Sequence, residues 1–114
     1  MRLNQVAEKL NLQLQTPSIS LAVNVTGGYV SDLLSDVMAH AKKGDIWITL
    51  QIHQNIVAVA TLKELAGIIL INGKQPAPET INKAEEEGVP ILTSESTAFE
   101  LICDLCKMGI SGIR

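Results

Sequence analysis

The stretch Ile19-Ser20-Leu21-Ala22-Val23-Asn24-Val25-Thr26-Gly27-Gly28-Tyr29-Val30-Ser31-Asp32-Leu33-Leu34 decides how the chain is laid out. Residues 19–23 alternate apolar with small or polar side chains, the pattern of a short strand. Val30, Leu33, Leu34, Val37, Met38 and Ala41 then recur at three- and four-residue steps, which predicts a helix over 29–43 with one buried face. Between them, Gly27 and Gly28 allow positive φ and place free N–H groups beside a helix start. Such a turn holds an anion or polar ligand without any charged side chain. The plainer alternative is a tight turn and nothing more.

On the N-terminal side, Leu3, Val6, Ala7 and Leu10 give residues 3–11 one apolar helical face. No basic recognition helix follows, so packing is the role expected of it. Leu12-Gln13-Leu14 reads as a short strand, and Thr16-Pro17-Ser18 breaks the chain after it. On the C-terminal side, Lys42, Lys43 and Gly44 are suited to close the helix at 29–43. Ile46-Trp47-Ile48-Thr49-Leu50 is apolar enough for a strand covered on both faces. Residues 55–65 suit strand or helix by propensity, but Asn55 as N-cap and the Leu62/Leu65 spacing favour helix.

Ile68-Ile69-Leu70-Ile71 is the clearest buried strand. Pro78 at the first helical position and Gly88 after the last turn frame a helix at 78–87. Val89-Pro90-Ile91-Leu92 predicts a short strand, its proline marking an edge or a first residue. Thr97 with Glu100 forms a capping-box pattern that opens a helix at 97–108. Gly109, Ser111 and Gly112 read as a frayed end. Strand and helix alternate four times. The expected fold is therefore α/β: one three-layer domain over residues 1–114, with a mostly parallel sheet and helices on both faces.

Composition narrows the function. Hydrophobic residues make up 46% of the 114 and only one Trp, one Tyr and one Phe occur, so the core is aliphatic. A net charge of −3 gives no basic face for nucleic acid. No run reaches the roughly 18 apolar residues of a membrane span, and no signal-peptide core opens the chain, so a soluble cytoplasmic protein is expected.

In an open parallel sheet, ligands bind beyond the carboxyl ends of the strands. Those ends, as predicted, carry Thr26-Gly27-Gly28, His53-Gln54-Asn55, Asn72-Gly73-Lys74-Gln75 and Ser94-Glu95-Ser96. The candidate ligand-binding residues are Thr26, Gly27, Gly28, His53, Asn55, Asn72, Gly73 and Lys74. Polar loops also occur where nothing binds. Gly73-Lys74 after a buried strand invites comparison with a phosphate loop, but Gly67 is one position too far and Gln75 stands where Ser or Thr holds Mg²⁺. His53 has no nucleophile motif near it, which favours a loop-structural role. Asp32 and Asp36 are read on one solvated helical face, with His40 on the surface of the same helix. No catalytic set emerges.

Cys103-Asp104-Leu105-Cys106 is a CxxC inside a predicted helix and near its C-terminus. Redox CxxC pairs sit at a helix N-terminus, where the dipole favours the thiolate. Structural zinc and iron–sulfur centres take four ligands, which two chains meeting at this helix would supply. Burial in a core or interface is the simpler reading. The same helix has apolar residues around most of its circumference. That predicts a second packing partner and a homodimer, with 97–108 or 29–43 in the interface.

Thr26-Gly27-Gly28-Tyr29-Val30-Ser31-Asp32-Leu33-Leu34-Ser35-Asp36-Val37-Met38 resembles the signature segment of the DRTGG domain family. Asp45–Thr49, 53–60, 65–69, 88–92 and 96–100 extend the likeness over nearly the whole chain. Related domains form the N-terminal part of HPr kinase/phosphorylases. They also occur inside some phosphotransacetylases and between the CBS pairs of some pyrophosphatases. Where the name-giving motif has Asp and Arg, this chain has Asn24 and Val25, so any role of that charged pair is absent. The resemblance implies a non-catalytic regulatory or accessory domain, acting through a small polar or nucleotide-like ligand or a protein partner. Similar domains in anaerobes are sometimes associated with hydrogenase systems. That keeps open the alternative of a metal- or iron–sulfur-linked accessory protein using Cys103 and Cys106 across a dimer.

Overall fold

Ile46, Ile48 and Ile69 point to one side of a five-stranded sheet, and Trp47, Ile68 and Leu70 to the other. The structure is a computed structural model that describes residues 1–112. Its elements run α1 (Leu3–Lys9), β1 (Gln13–Leu14), β2 (Gly27–Val30), α2 (Leu34–His40), β3 (Asp45–Thr49), α3 (Asn55–Lys63), β4 (Gly67–Leu70), α4 (Pro78–Glu87), β5 (Ile91–Thr93) and α5 (Ala98–Lys107). The sheet order is β1-β5-β4-β3-β2. All pairs are parallel except β1–β5.

The three crossover helices lie on one face. Val37 and Ala41 of the α2 region, Ile56, Val57, Val59 and Ala60 of α3, and Ala84 of α4 form a single core with Trp47, Ile68, Leu70 and Ile91. Each crossover advances to the next strand with the same hand, so each helix must land on the same side. The opposite face is closed by Leu3 and Val6 of α1 and Leu101 and Leu105 of α5, packed on Ile46, Ile48, Ile69 and Leu92. The expected three-layer α/β fold is what the chain adopts.

Around the two glycines the structure departs from the sequence reading. Gly27 and Gly28 lie inside β2, in register with Asp45 and Ile46. The glycines with positive φ are Gly44, Gly73, Gly88 and Gly109. The helix expected over 29–43 is only Leu34–His40, and Tyr29 and Val30 extend the strand before it. Residues 19–23 join no sheet strand. They run extended beside the start of α1, where the N–H groups of Leu3 and Asn4 donate to the carbonyls of Val23 (2.8 Å) and Leu21 (3.0 Å). The alternation was real, and it serves to satisfy orphan donors at a helix N-terminus rather than a ladder. Leu21 and Val23 still pack on the core, as does buried Val25.

Elsewhere the boundaries hold closely. α4 spans the residues expected of it, with Pro78 at its start and Gly88 in the left-handed conformation after it. The Thr97–Glu100 capping box is formed. Asn55, expected as the N-cap, is instead the first helical residue of α3, with Gln54 at the cap position, and its N–H donates to His53 Nδ1 (3.1 Å). Pro90 precedes β5, which β1 keeps from being the edge. The C-terminal segment is anchored at least to Ile110, which is buried and donates its N–H to Leu105.

Candidate functional site

Each parallel strand hands the chain to its next helix at the same edge of the sheet. The loops there are Ser31–Leu33 after β2, Leu50–Gln54 after β3, Ile71–Ala77 after β4 and Ser94–Thr97 after β5. Hydrogen bonds stitch them into one rim. Asp32 Oδ1 accepts from the Thr49 hydroxyl (2.8 Å) and the Leu50 N–H (2.7 Å), and Gln51 Nε2 donates to the Asp32 carbonyl (3.0 Å). The Ile52 carbonyl accepts from the Thr80 hydroxyl (2.7 Å) and the Ala77 N–H (3.2 Å), which ties the second loop to the end of the third and to the start of α4.

Ile71-Asn72-Gly73-Lys74 turns with positive φ at both central residues and a Lys74 N–H to Ile71 carbonyl bond of 3.0 Å, the geometry of a type I′ turn. The Asn72 and Gly73 N–H groups donate to the carbonyls of Ser96 and Ser94, both at 3.0 Å. All three amides are thus spent on the protein itself. A ligand at this rim meets side chains, and no phosphate loop exists here.

Of the candidate residues, His53, Asn55, Asn72, Gly73 and Lys74 lie together on this rim. Thr26, Gly27 and Gly28 do not. They stand at the opposite end of the sheet, where Thr26 donates its N–H to the Gly44 carbonyl (3.0 Å) and its hydroxyl to that of Lys43 (3.3 Å). The reason is the lengthened β2: its carboxyl end is Val30, so Ser31 and Asp32 occupy the rim position expected of the glycines.

His53 has the loop role anticipated. Its Nδ1 accepts from the Asn55 N–H, so the neutral ring carries its proton on Nε2. Asp36, on α2, accepts from the Tyr29 hydroxyl (2.8 Å) and pairs with His40 Nδ1 (3.1 Å). The bond from Tyr29, then that from Ser31, then His40 hold its carboxyl below the usual carboxylate range.

Beside the rim, a cleft of about 320 Å³ opens between β1 and the β5 loop. Its walls carry the carboxamides of Asn11, Gln13, Gln15 and Gln75, with Ser94 and Glu95. Gln15 Nε2 donates to Thr93 Oγ1 (3.1 Å). Sequence reasoning missed Asn11, Gln13 and Gln15, because only the antiparallel β1–β5 pairing brings them to Thr93 and Ser94. Asp32 was likewise assigned to a solvated helical face, although it lies outside the helix and fastens two loops.

Cys103 and Cys106 are both exposed, so of the core or interface packing expected for them the core alternative does not hold. Among the described residues, no three His, Cys, Asp or Glu side chains gather as a metal set would. Among the described residues, no helix is long and apolar enough to cross a membrane.

Compared with known families, residues 25–107 match the model of the DRTGG domain. The chain belongs to the DRTGG domain family. No curated protein matches the sequence of this DRTGG domain. Among solved structures it is similar to the regulatory region of the Clostridium perfringens pyrophosphatase, comprising CBS and DRTGG domains and complexed with the activator diadenosine tetraphosphate. The TM-score is 0.65 at 17% identity, over 89% of this chain and 44% of that one. The likeness shows the fold, and this DRTGG domain spans less than half the length of that region.

In this DRTGG domain the name-giving segment, Asn24-Val25-Thr26-Gly27-Gly28, is a piece of framework. Asn24 bridges Arg2, Val25 enters the core, and the two glycines build β2.

Proposed function

We propose that the protein is a non-catalytic regulatory domain that binds a small polar, nucleotide-like ligand at the carboxyl rim of its sheet. His53, Asn55, Asn72 and Lys74 would contact it, with Gly73 setting the turn. The observation that carries this reading is the rim itself. Loop backbones there are fixed by mutual hydrogen bonds, while exposed polar side chains and a carboxamide-lined cleft face outward. Fixed backbone with free side chains is a preorganised recognition surface. Membership in the DRTGG family and a structural neighbour complexed with a nucleotide activator support the ligand class. Lys74 supplies the cation a phosphate needs, and the carboxamides offer paired donors and acceptors to a base edge. Thr26, Gly27 and Gly28, at the opposite end of the sheet, are not part of the site we propose.

A thermal-shift panel of adenine and guanine nucleotides, including diadenosine polyphosphates, tests the proposal. A concentration-dependent rise in melting temperature is expected, lost in Lys74→Ala and weakened in His53→Ala, with Thr26→Ala unchanged. No shift with any nucleotide overturns it.

We also propose that the chain works as a homodimer in the cytoplasm. Exposed Val30, Leu33 and Met38, along the end of β2 and α2, are the apolar surface that supports pairing.

A further inference from the structure

We propose that Cys103 and Cys106 form a redox-active dithiol that closes reversibly to an intrahelical disulfide by exchange with a low-molecular-weight disulfide, opening the last turn of α5 as it does so. Both thiols are exposed, on a helix whose intervening Leu105 is buried in the core. Buried Leu105 fixes the helix rotation, so the two cysteines face outward as an i, i+3 pair on adjacent turns.

Helix geometry sets what this pair can do. Residues three apart have Cα atoms about 5 Å apart at 1.5 Å rise and 2.3 Å radius. That falls inside the roughly 4.4–6.8 Å range of disulfides. Their Cβ atoms, however, are about 5–6 Å apart in a regular helix, against about 3.5–4.5 Å in a disulfide. Closure therefore asks for a movement of an ångström or two. The place to find it is the end of the helix. Cys106 is one residue from the last residue of α5, and beyond it come Met108, with its N–H shared between Asp104 and Leu105, and Gly109 at φ 90°. Shifting Cys106 towards Cys103 breaks the Gly109 N–H bond to the Cys106 carbonyl (3.0 Å) first.

That turn is not idle. Cys106 lines an apolar cavity of about 110 Å³ with Gly28, Val30, Ile48, Ile102 and Ile110. Ile110 is held by its N–H bond to Leu105 (3.1 Å). Closing the disulfide alters the wall of that cavity and the anchor of the C-terminal segment beside β2.

The chemistry balances in two displacements. One cysteine thiolate attacks a sulfur of the external disulfide, forming a protein mixed disulfide and releasing one thiolate. The second cysteine, deprotonated, attacks the protein sulfur of that mixed disulfide. The intrahelical bond forms, and the other external thiolate leaves. Two protein thiols are oxidised, one external disulfide is reduced to two thiols, and the two protons pass from the cysteines to the leaving thiols. Proximity of the second thiol decides where the exchange ends.

The full chain is incubated with oxidised glutathione, then alkylated and weighed by mass spectrometry. Wild type is expected to lose both alkylatable thiols and two hydrogens without retaining glutathione, and to recover both on reduction. Cys103→Ser and Cys106→Ser are each expected to stop at one bound glutathione. Wild type that keeps one or two glutathiones, forms disulfide-linked dimers or does not react overturns the proposal. Amide hydrogen exchange supplies the structural readout. Faster exchange at Gly109 and Ile110 is expected in the oxidised form, and unchanged exchange there overturns the opening of the last turn.

Discussion

A methyl group added at Gly28 lies 3.5 Å from Ile46 Cγ2, an ordinary contact on extended backbone. One added at Gly44 falls on the Thr26 hydroxyl, with φ at +85°. Gly28→Ala is therefore expected to change stability by about 0.5 kcal/mol or less. Gly44→Ala should cost about 1–3 kcal/mol through backbone strain. Urea titrations of the two variants give the comparison, and equal losses would mean the φ assignment is wrong. Nothing in the residue type distinguishes the two positions. A glycine pair between apolar runs reads as a turn, and whether it is one depends on the strand it lies against. Gly44 has the positive φ expected of it, but α2 ends at His40 with Ala41 as its cap, so Lys42, Lys43 and Gly44 do not close that helix. Asp32 was not legible, since its partners Thr49 and Leu50 come from the next strand.

The elements that announced themselves did so through local chemistry. Pro78, Gly88 and the Thr97–Glu100 box each act within one helical turn, so α4 and α5 were legible to within a residue or so. Residues 19–23 carried a strand pattern whose meaning depended on α1, some 20 positions earlier. α5 also yields a pH prediction. The Glu100 carboxyl is held below its usual range, first by the Thr97 N–H and then by the Thr97 hydroxyl. Asp36 is lowered as well, first by Tyr29. A depressed carboxyl stabilises the fold fully above its unfolded pKa, about 4, and loses that contribution as pH falls through the lower folded value. As pH falls below about 4, wild type should therefore lose stability more steeply than Glu100→Gln or Asp36→Asn. Glu100→Gln keeps an oxygen acceptor for the capping box, so any change in slope reports the charge. Urea midpoints that fall in parallel for all three proteins would contradict this.

For the molecule as a whole, class was legible from alternation, while strand order was not. The parallel strands run β2, β3, β4, β5 across the sheet without reversal. There is thus no switch point to mark a ligand crevice, and the candidate cleft falls instead beside the antiparallel β1 strand. The surplus apolar surface expected of α5 is present: Phe99 is 81% exposed, and Ile102 lies exposed beside it. Leu33, 64% exposed, lies at the start of α2. Light scattering at micromolar concentration is expected to show a dimer that Leu33→Asp converts to a monomer, with the melting temperature little changed. A monomeric wild type would end the pairing proposal.

The one-directional sheet also governs when the two sides of the molecule can close during synthesis. Each strand from β2 to β5 finds its neighbour as soon as the next helix has been made, so the α2–α3–α4 side can consolidate stepwise. The other side joins the first helix to the last. Leu3 can settle against Ile46 and Gly67 once β4 is made, but Leu101 and Leu105 emerge last. A nascent chain stalled after β5 would have α1 on that aliphatic sheet face but lack the cover of Leu101 and Leu105, leaving a partly open apolar surface of the kind on which chaperones and aggregation compete.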